Sequence, residues 1–502
     1  MKKSIFILAA GLALASCSES FFEKFPTDSL TPENYLKSTE EIQNELYDGY
    51  YTLRNLTQPI VMINEVGTDN GYNWKLNNSE SHIRLNESTL TSTNSFSNDV
   101  WLQCYTLINR CNTVLDNIDH VAMPETTRAQ LSNEAKFLRA YGYFTLVRIF
   151  GAVPFTEHDI TNYRELYSYG RTPVEEIYSN SIIPDLKAAC ALPDFYTANS
   201  SIGRVTGVAA RTLLADVYMT LKDFDSAKPL LAEVVGKEGA RLGLMDNYAD
   251  IFTADNSNNK EVIFAVGYAS GFSPALGNYL MNSCLPTSFG TLPGSRITGV
   301  GTFFLTYDLR DSFDPADKRL ETIYRGFHDP DRNNVEVTTT LKYYDKNNDL
   351  AGRASADSGC DWIIYRYADV LLMYAECLNE ADKNPAGAIA QIERVRTRAG
   401  LTTDIPANQA DVRLAIENER RLELYGEGHR WYDLLRTGRL QPVMNAHFKM
   451  TVPGGTTGAA AIKDFMYGDG TCSIEDFELL FPLPYDQQKL MPEKLPQNPQ
   501  YN

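Results

Sequence analysis

The sequence predicts a mainly α protein built from tetratricopeptide-like helical hairpins, with long irregular loops forming a ligand-binding side. Three observations predict it. Apolar residues recur at helical spacing along most of the chain. Two segments of roughly 34 residues share one hairpin design. Between the helical blocks lie stretches rich in Gly, Asn, Asp and aromatics that follow no period.

The elements follow in chain order. Leu131 to Gly151 carries Phe137, Tyr141, Phe144, Val147 and Ile149 at helical spacing, which makes one buried face. Gly151 ends that helix and Pro154 prevents its continuation. Gly207 to Val235 reads as two antiparallel helices broken at Lys222 to Asp225. Tyr367 to Gly400 repeats the design around Lys383-Asn384-Pro385, with proline at a helix start. Two clear copies imply degenerate ones, expected around residues 96–150 and 411–440. Residues 64–95, 267–300, 326–360 and 451–472 read as long irregular loops, the usual place for function in a compact domain.

The chain has 502 residues, is 43% hydrophobic and carries a formal charge of −18. Nucleic-acid binding needs clustered Lys and Arg to displace counterions, so that balance argues against it. Lys2 and Lys3 precede an apolar run of 11 residues, Ile5 to Ala15, too short to span a bilayer. Leu14-Ala15-Ser16-Cys17 follows, small residues before a cysteine, as a lipoprotein signal peptidase requires. Residues 1–16 are therefore expected to be a signal peptide. Cys17 would be the lipidated N-terminus, 17–35 a short arm and 36–502 one domain. Losing Lys2 and Lys3 takes the charge from −18 to −20. The other seven cysteines are irregularly spaced and show neither a disulfide framework nor a zinc pattern. Most of them are expected to be small core hydrophobes.

The stretch "ENERRLELYGEGHRWYDLLRTGR", Glu417 to Arg439, holds five arginines and four glutamates. Glu417–Arg421 is spaced as a stabilising i,i+4 pair and Glu419–Glu423 as a like-charge one. Gly426 and Gly428 break the helix. A second helix turns Trp431, Leu434 and Leu435 inward, and Gly438 ends it. Acids interleaved with arginines stay ionised, whereas catalysis needs carboxylates with separated pKa values. The stretch reads as scaffold.

No cofactor fingerprint or nucleophile elbow stands in a supporting context. The six histidines lack metal-ligand spacing. "DKNNDLAG", Asp345 to Gly352, starts like a calcium loop but has Leu350 and Ala356 where Gly and Glu belong, so it reads as an exposed turn. Neutral sugars need flat aromatics for their C–H faces and planar polar groups for their hydroxyls. Asp69, Asn70, Tyr72, Asn73 and Trp74 supply both within six residues. The alternative is that Trp74 plugs the core and Asp69 caps a turn. A second candidate, Gly277 to Arg296, offers Tyr279, Asn282, Phe289 and Arg296; its alternative is a loop packed on its own aromatics. Arg296 and Arg353 would admit an acidic glycan if they line the site.

Six segments in order resemble the SusD/RagB group of surface lipoproteins. They are "CSESFFEKFPTDSLT", "AKFLRAYGYFTLVRIFGAVPF", "GRVTGVAARTLLADVYM", "YRYADVLLMYAECLNEA", the Glu417–Arg439 stretch and "LFPLPYDQQKLMPEKLPQNPQY". The resemblance implies a SusD-like domain with a looped ligand-binding side. It implies a binding protein without cofactor or catalysis, lipid-anchored on the outside of the outer membrane. It would capture oligosaccharides for a SusC-like TonB-dependent barrel. A minority branch of the group handles peptides, so an oligopeptide ligand is the alternative.

Overall fold

The computed structural model describes residues 35–73, 80–196, 202–287, 289–291, 297–329, 334–351, 353–402, 404–452 and 459–501. The expected signal peptide, Cys17, Trp74 and Arg296 lie outside them. The major helices are α1 (Thr39–Glu65), α2 (Ser95–Asn117), α3 (Glu125–Phe150), α4 (Gly207–Thr220), α5 (Phe224–Val235), α6 (Tyr367–Glu380), α7 (Pro385–Arg398), α8 (Gln409–Leu424), α9 (Arg430–Thr437) and α10 (Leu440–His447).

Both expected hairpins form. α4 packs on α5 and α6 on α7, and α5 and α6 join the two units. Asn384 caps α7, accepting from the Gly387 N–H, and Pro385 is its first residue. Where degenerate copies were expected, helix pairs also occur: α2 and α3 pack along each other, whereas α8 and α9 touch little. α1 opens with a full capping box between Ser38 and Glu41 and lies along α2. The interhelical core is one cluster that includes Phe137, Phe144, Leu213, Leu371 and Trp431. Strands are short and paired antiparallel in twos: β1 (Gly71–Tyr72) with β5 (Phe304–Leu305), β2 (Val153–Pro154) with β3 (Arg171–Thr172), β4 (Val262–Val266) with β8 (Trp362–Arg366), and β6 (Ile323–Asp329) with β7 (Val335–Thr340). No helix among the described residues is long and apolar enough to cross a membrane.

Several expectations need correction, since the helices Glu80–Asn86 and Ala459–Met466 also lie in sequence read as loop. The β6–β7 ribbon occupies sequence read as loop, because the β-branched run "VEVTTT" outweighs the turn residues around it. Asp345, Asn348 and Asp349 are buried, not an exposed turn. Asp345 accepts from the Asn348 and Gly359 N–H groups, and Asp349 accepts from the Tyr344 hydroxyl. The Glu417–Arg421 pair does not form: Arg421 reaches Asp308 at 2.8 Å, and Glu417 takes Arg439 at 3.0 Å.

The charged stretch holds the helices to the loops. Arg366, at the end of β8, is fully buried. Its Nε donates to Glu427 Oε2 at 2.8 Å, and its Nη1 donates to Glu261 Oε1 at 2.8 Å and to Glu423 Oε1 at 2.5 Å. Arg319 bridges Asp317, Glu419 and Glu423, so the like-charge pair at 419 and 423 shares one guanidinium. Arg398 and Lys342 complete the set, on Glu261 with Glu423 and on Glu427. A second network joins Arg420 to Asp369 and Asp433, and Arg436 to Glu376 and Asp433. Burial works against the Glu423 carboxylate, but Arg398, Arg366 and Arg319 outweigh it and hold the acid well below the usual range. Glu427 and Asp433 are likewise lowered by the arginines beside them, so these three acids lack the separated pKa values of an acid–base pair.

Glu65, the last residue of α1, is different. Its Oε1 accepts from the Gly428 N–H and its Oε2 from the Asn70 amide, both at 2.9 Å. Gly428 has φ +91°, a conformation that side-chain-bearing residues rarely adopt, and this aims its N–H at the carboxylate. Burial pushes Glu65 from 4.5 up to about 7, against the pull of these hydrogen bonds and of Lys342.

Two predictions follow from these buried charges. Arg366→Met leaves Glu261, Glu423 and Glu427 short of a cation and should lower unfolding free energy by about 3–5 kcal/mol in denaturant titration. The Glu65 pKa is raised in the fold, so its stabilisation is complete below 4.5 and lost as pH rises through about 7. Glu65→Gln should therefore flatten the decline of Tm between about pH 5 and about pH 8, while acid unfolding, set by Glu423, Asp69 and Asp433, stays.

Candidate functional site

One face of α1 turns outward through Tyr51, Arg54, Asn55 and Gln58, an i, i+3, i+4, i+7 strip. α2 adds Asp99 and Gln103, and the segment after β4 adds Tyr268 and residues Ala275 to Tyr279. Together they line a cleft of about 520 Å³. Its walls are fixed from behind. The Asn55 amide donates to Gln103 Oε1 at 3.1 Å and ties α1 to α2. The Tyr268 hydroxyl donates to Thr57 Oγ1 at 2.7 Å. Buried Asn278 donates to the Cys360 carbonyl at 2.9 Å and accepts from the Leu280 N–H at 2.9 Å, which seats the turn beneath Tyr279. At Gly277 a Cβ would fall 2.2 Å from the Asp357 Cα, so only glycine brings the rim this close.

The floor and lips suit a sugar. Tyr51 and Tyr279 are 52% and 42% exposed, high for large aromatics. The Arg54 guanidinium lies 5.4 Å from the Tyr51 ring centroid and 5.5 Å from that of Tyr268, anchored by its Nε on the Gly267 carbonyl at 2.9 Å. The guanidinium, the Asn55, Gln58 and Gln103 amides and the Tyr51 and Tyr279 rings line the cleft together. Asp99 is the one carboxylate among the lining residues, and burial raises it. Glycoside hydrolysis usually takes two carboxyl groups across the scissile bond, and the described lining supplies one.

Of the residues picked out in sequence, Tyr279 lies in this cleft. The 69–73 segment is built into the scaffold instead. Asp69 receives a two-pronged hydrogen bond from Arg430, both arms at 2.8 Å. Burial opposes its ionisation, but Arg421 and Arg430 outweigh that and hold it well below the usual range. Asn70 sits between Glu65 and Arg421. Tyr72 is wholly buried in β1 beside Phe304, and the Asn73 N–H donates to Asn86 at 3.2 Å. Phe289 is buried against Tyr324, Phe327 and Tyr344, and Asn282 accepts from the Ser355 hydroxyl. Arg353 is exposed on the Ser270 hydroxyl, away from the cleft lining. Tyr51, Arg54, Asn55 and Gln58 were missed because they sit inside a regular helix. The available signal was an outward face carrying an aromatic, a guanidinium and two amides.

Known proteins share this architecture. A model described as the SusD family matches residues 317–501, and one described as starch-binding associating with outer membrane matches 21–219. A SusD-like protein of Formosa agariphila is 27% identical over 471 residues, covering 87% of this chain and 91% of its own. One from Bacteroides ovatus is 25% identical, covering 92% and 88%. A crystal structure of a SusD superfamily protein from Parabacteroides distasonis superposes with a TM-score of 0.76 at 24% identity, over 94% of this chain and all of that one. A laminarin-binding SusD-like protein superposes at 0.75 and 26% identity, over 93% of this chain and 100% of its own. The two family models take in the N-terminal helices, the α8–α9 stretch and the C-terminal tail, and the fold agrees across the chain: this protein belongs to the SusD/RagB family.

Proposed function

We propose that this chain is a cell-surface glycan-binding lipoprotein that captures oligosaccharides in the α1–α2 cleft and passes them to a SusC-like TonB-dependent transporter. The observation that carries the reading is the pairing of exposed Tyr51 and Tyr279 rings with Arg54, Asn55, Gln58 and Gln103 in a braced cleft. Stacking supplies contact area at low entropy cost, and the planar polar groups orient hydroxyls. A relative named for laminarin binding supports the ligand class. So does the starch-binding protein SusD of Bacteroides thetaiotaomicron, 28% identical over 168 residues, about a quarter (27%) of that protein. Trp74 and Arg296, outside the described residues, stay in the proposal as ligand contacts. In this reading residues 1–16 are removed, Cys17 carries the lipid, and the arm up to residue 35 tethers the body to the outer face of the outer membrane. Two or more acyl chains make such a tether stable.

The test is a binding screen of purified protein from Ser18 onward against neutral and acidic polysaccharides and a peptide pool. Tyr51→Ala and Tyr279→Ala are each expected to weaken glycan binding by about tenfold, ~1.4 kcal/mol, with unchanged thermal unfolding. Binding to peptides alone would replace the reading. Cys17→Ala should move the protein from the membrane fraction to the soluble fraction.

A further inference from the structure

Beyond the cleft, α1 repeats its chemistry. Tyr47 lies four residues before Tyr51, so the two rings share a helix face about 6 Å apart along the axis. Tyr47 is 39% exposed. Its hydroxyl accepts from the Gln43 amide at 2.7 Å, and the Arg204 guanidinium stands 5.9 Å from its ring. Tyr51 has the matching set in Asn55 and Arg54. An aromatic, a guanidinium and an amide thus occur twice, one helical turn apart. The second set is also held from behind. Tyr50 donates to Glu134 at 2.7 Å and accepts from the Val205 N–H at 3.0 Å, while the Arg204 Nε donates to Glu134 at 2.9 Å. This fixes the Arg204 side chain beside Tyr47.

We infer that Tyr47, Gln43 and Arg204 form an outer subsite, continuous with the cleft through Tyr51, for a linear polysaccharide bound along its length. The inference rests on the reading of the cleft as a glycan site. Two stacking positions a turn apart suit successive units of an extended chain, and both ends of the strip are open to solvent at Tyr47 and Tyr279. A single unit stacked on Tyr51 does not reach Tyr47; an oligomer extended along the strip does. The protein would therefore hold internal segments of a polymer rather than single end units.

The experiment takes the polysaccharide that wild-type protein retains, cuts it into size-fractionated oligomers, and measures Kd against length by calorimetry. Tyr47→Ala is compared with Tyr47→Phe and Tyr51→Ala. Wild-type affinity should rise with length beyond the trisaccharide. Tyr47→Ala should lose about tenfold on the longest oligomers and nothing on the monosaccharide, with Tyr47→Phe keeping most of the gain. Equal affinity of Tyr47→Ala and wild type at every length overturns the outer subsite and leaves the cleft reading intact. Equal loss at every length also overturns it, since Tyr47 would then be acting through the cleft. Failure of wild-type protein to bind any glycan brings down the cleft reading and this inference together.

Discussion

The rest of the structure depends on a buried charge network centred on Glu423 and Arg366. Ions leave water at a cost of several kcal/mol each, so a network of this size survives only when every partner is in place. Here the partners come from distant parts of the chain. Glu261 precedes β4, Arg319 precedes β6, Arg366 ends β8, Arg398 ends α7, and Glu423 and Glu427 flank the turn after α8. The hydrophobic helix core is tolerant in kind, since one apolar side chain resembles another. The charged centre is not, because an unmatched acid there has no alternative solvation. It fixes where the aperiodic segments meet the helical array, and so where loops such as 268–279 stand over α1.

That division explains how the site is held. The cleft floor belongs to α1 and α2, whose positions the apolar core sets. Its rim belongs to a segment with little regular structure, anchored by Asn278, Tyr268 and the Asp361 carboxylate. A rigid floor with a separately pinned rim limits the ordering a ligand must impose.

Much of the fold was legible in the sequence because it follows from short-range rules. The α4–α5 and α6–α7 hairpins announce themselves through Ala and Leu on the inner face and through Asn384-Pro385 at the turn. What was illegible depended on remote partners. Asp69 looked like a loop ligand because its neighbours Asn70, Tyr72 and Asn73 are sugar-contact types. Its fate is decided by Arg430, 361 residues away. The same holds for Asp345, whose burial depends on Gly359, and for Arg421, which prefers Asp308 to its helical neighbour. Tyr279 could be found because it stands in an aperiodic stretch. Tyr51 and Arg54 could not be told from any other outward helix residues until α2 and the 268–279 segment closed a cleft around them.

The free thiols bear on how this protein ages. Cys104, Cys111, Cys284, Cys360 and Cys377 are buried, and burial pushes each thiol up, Cys360 to about 12. A thiol kept protonated and out of contact with oxidants is chemically silent. In the folded protein these five sulfurs are therefore shielded from an oxidising medium. Molecules that open expose several of these sulfurs at once to oxidation. Lifetime in an oxidising medium is then governed by the frequency of opening rather than by the equilibrium balance of folded and unfolded forms. The sealed charge centre, by making opening rare, protects the sulfurs as well as the shape.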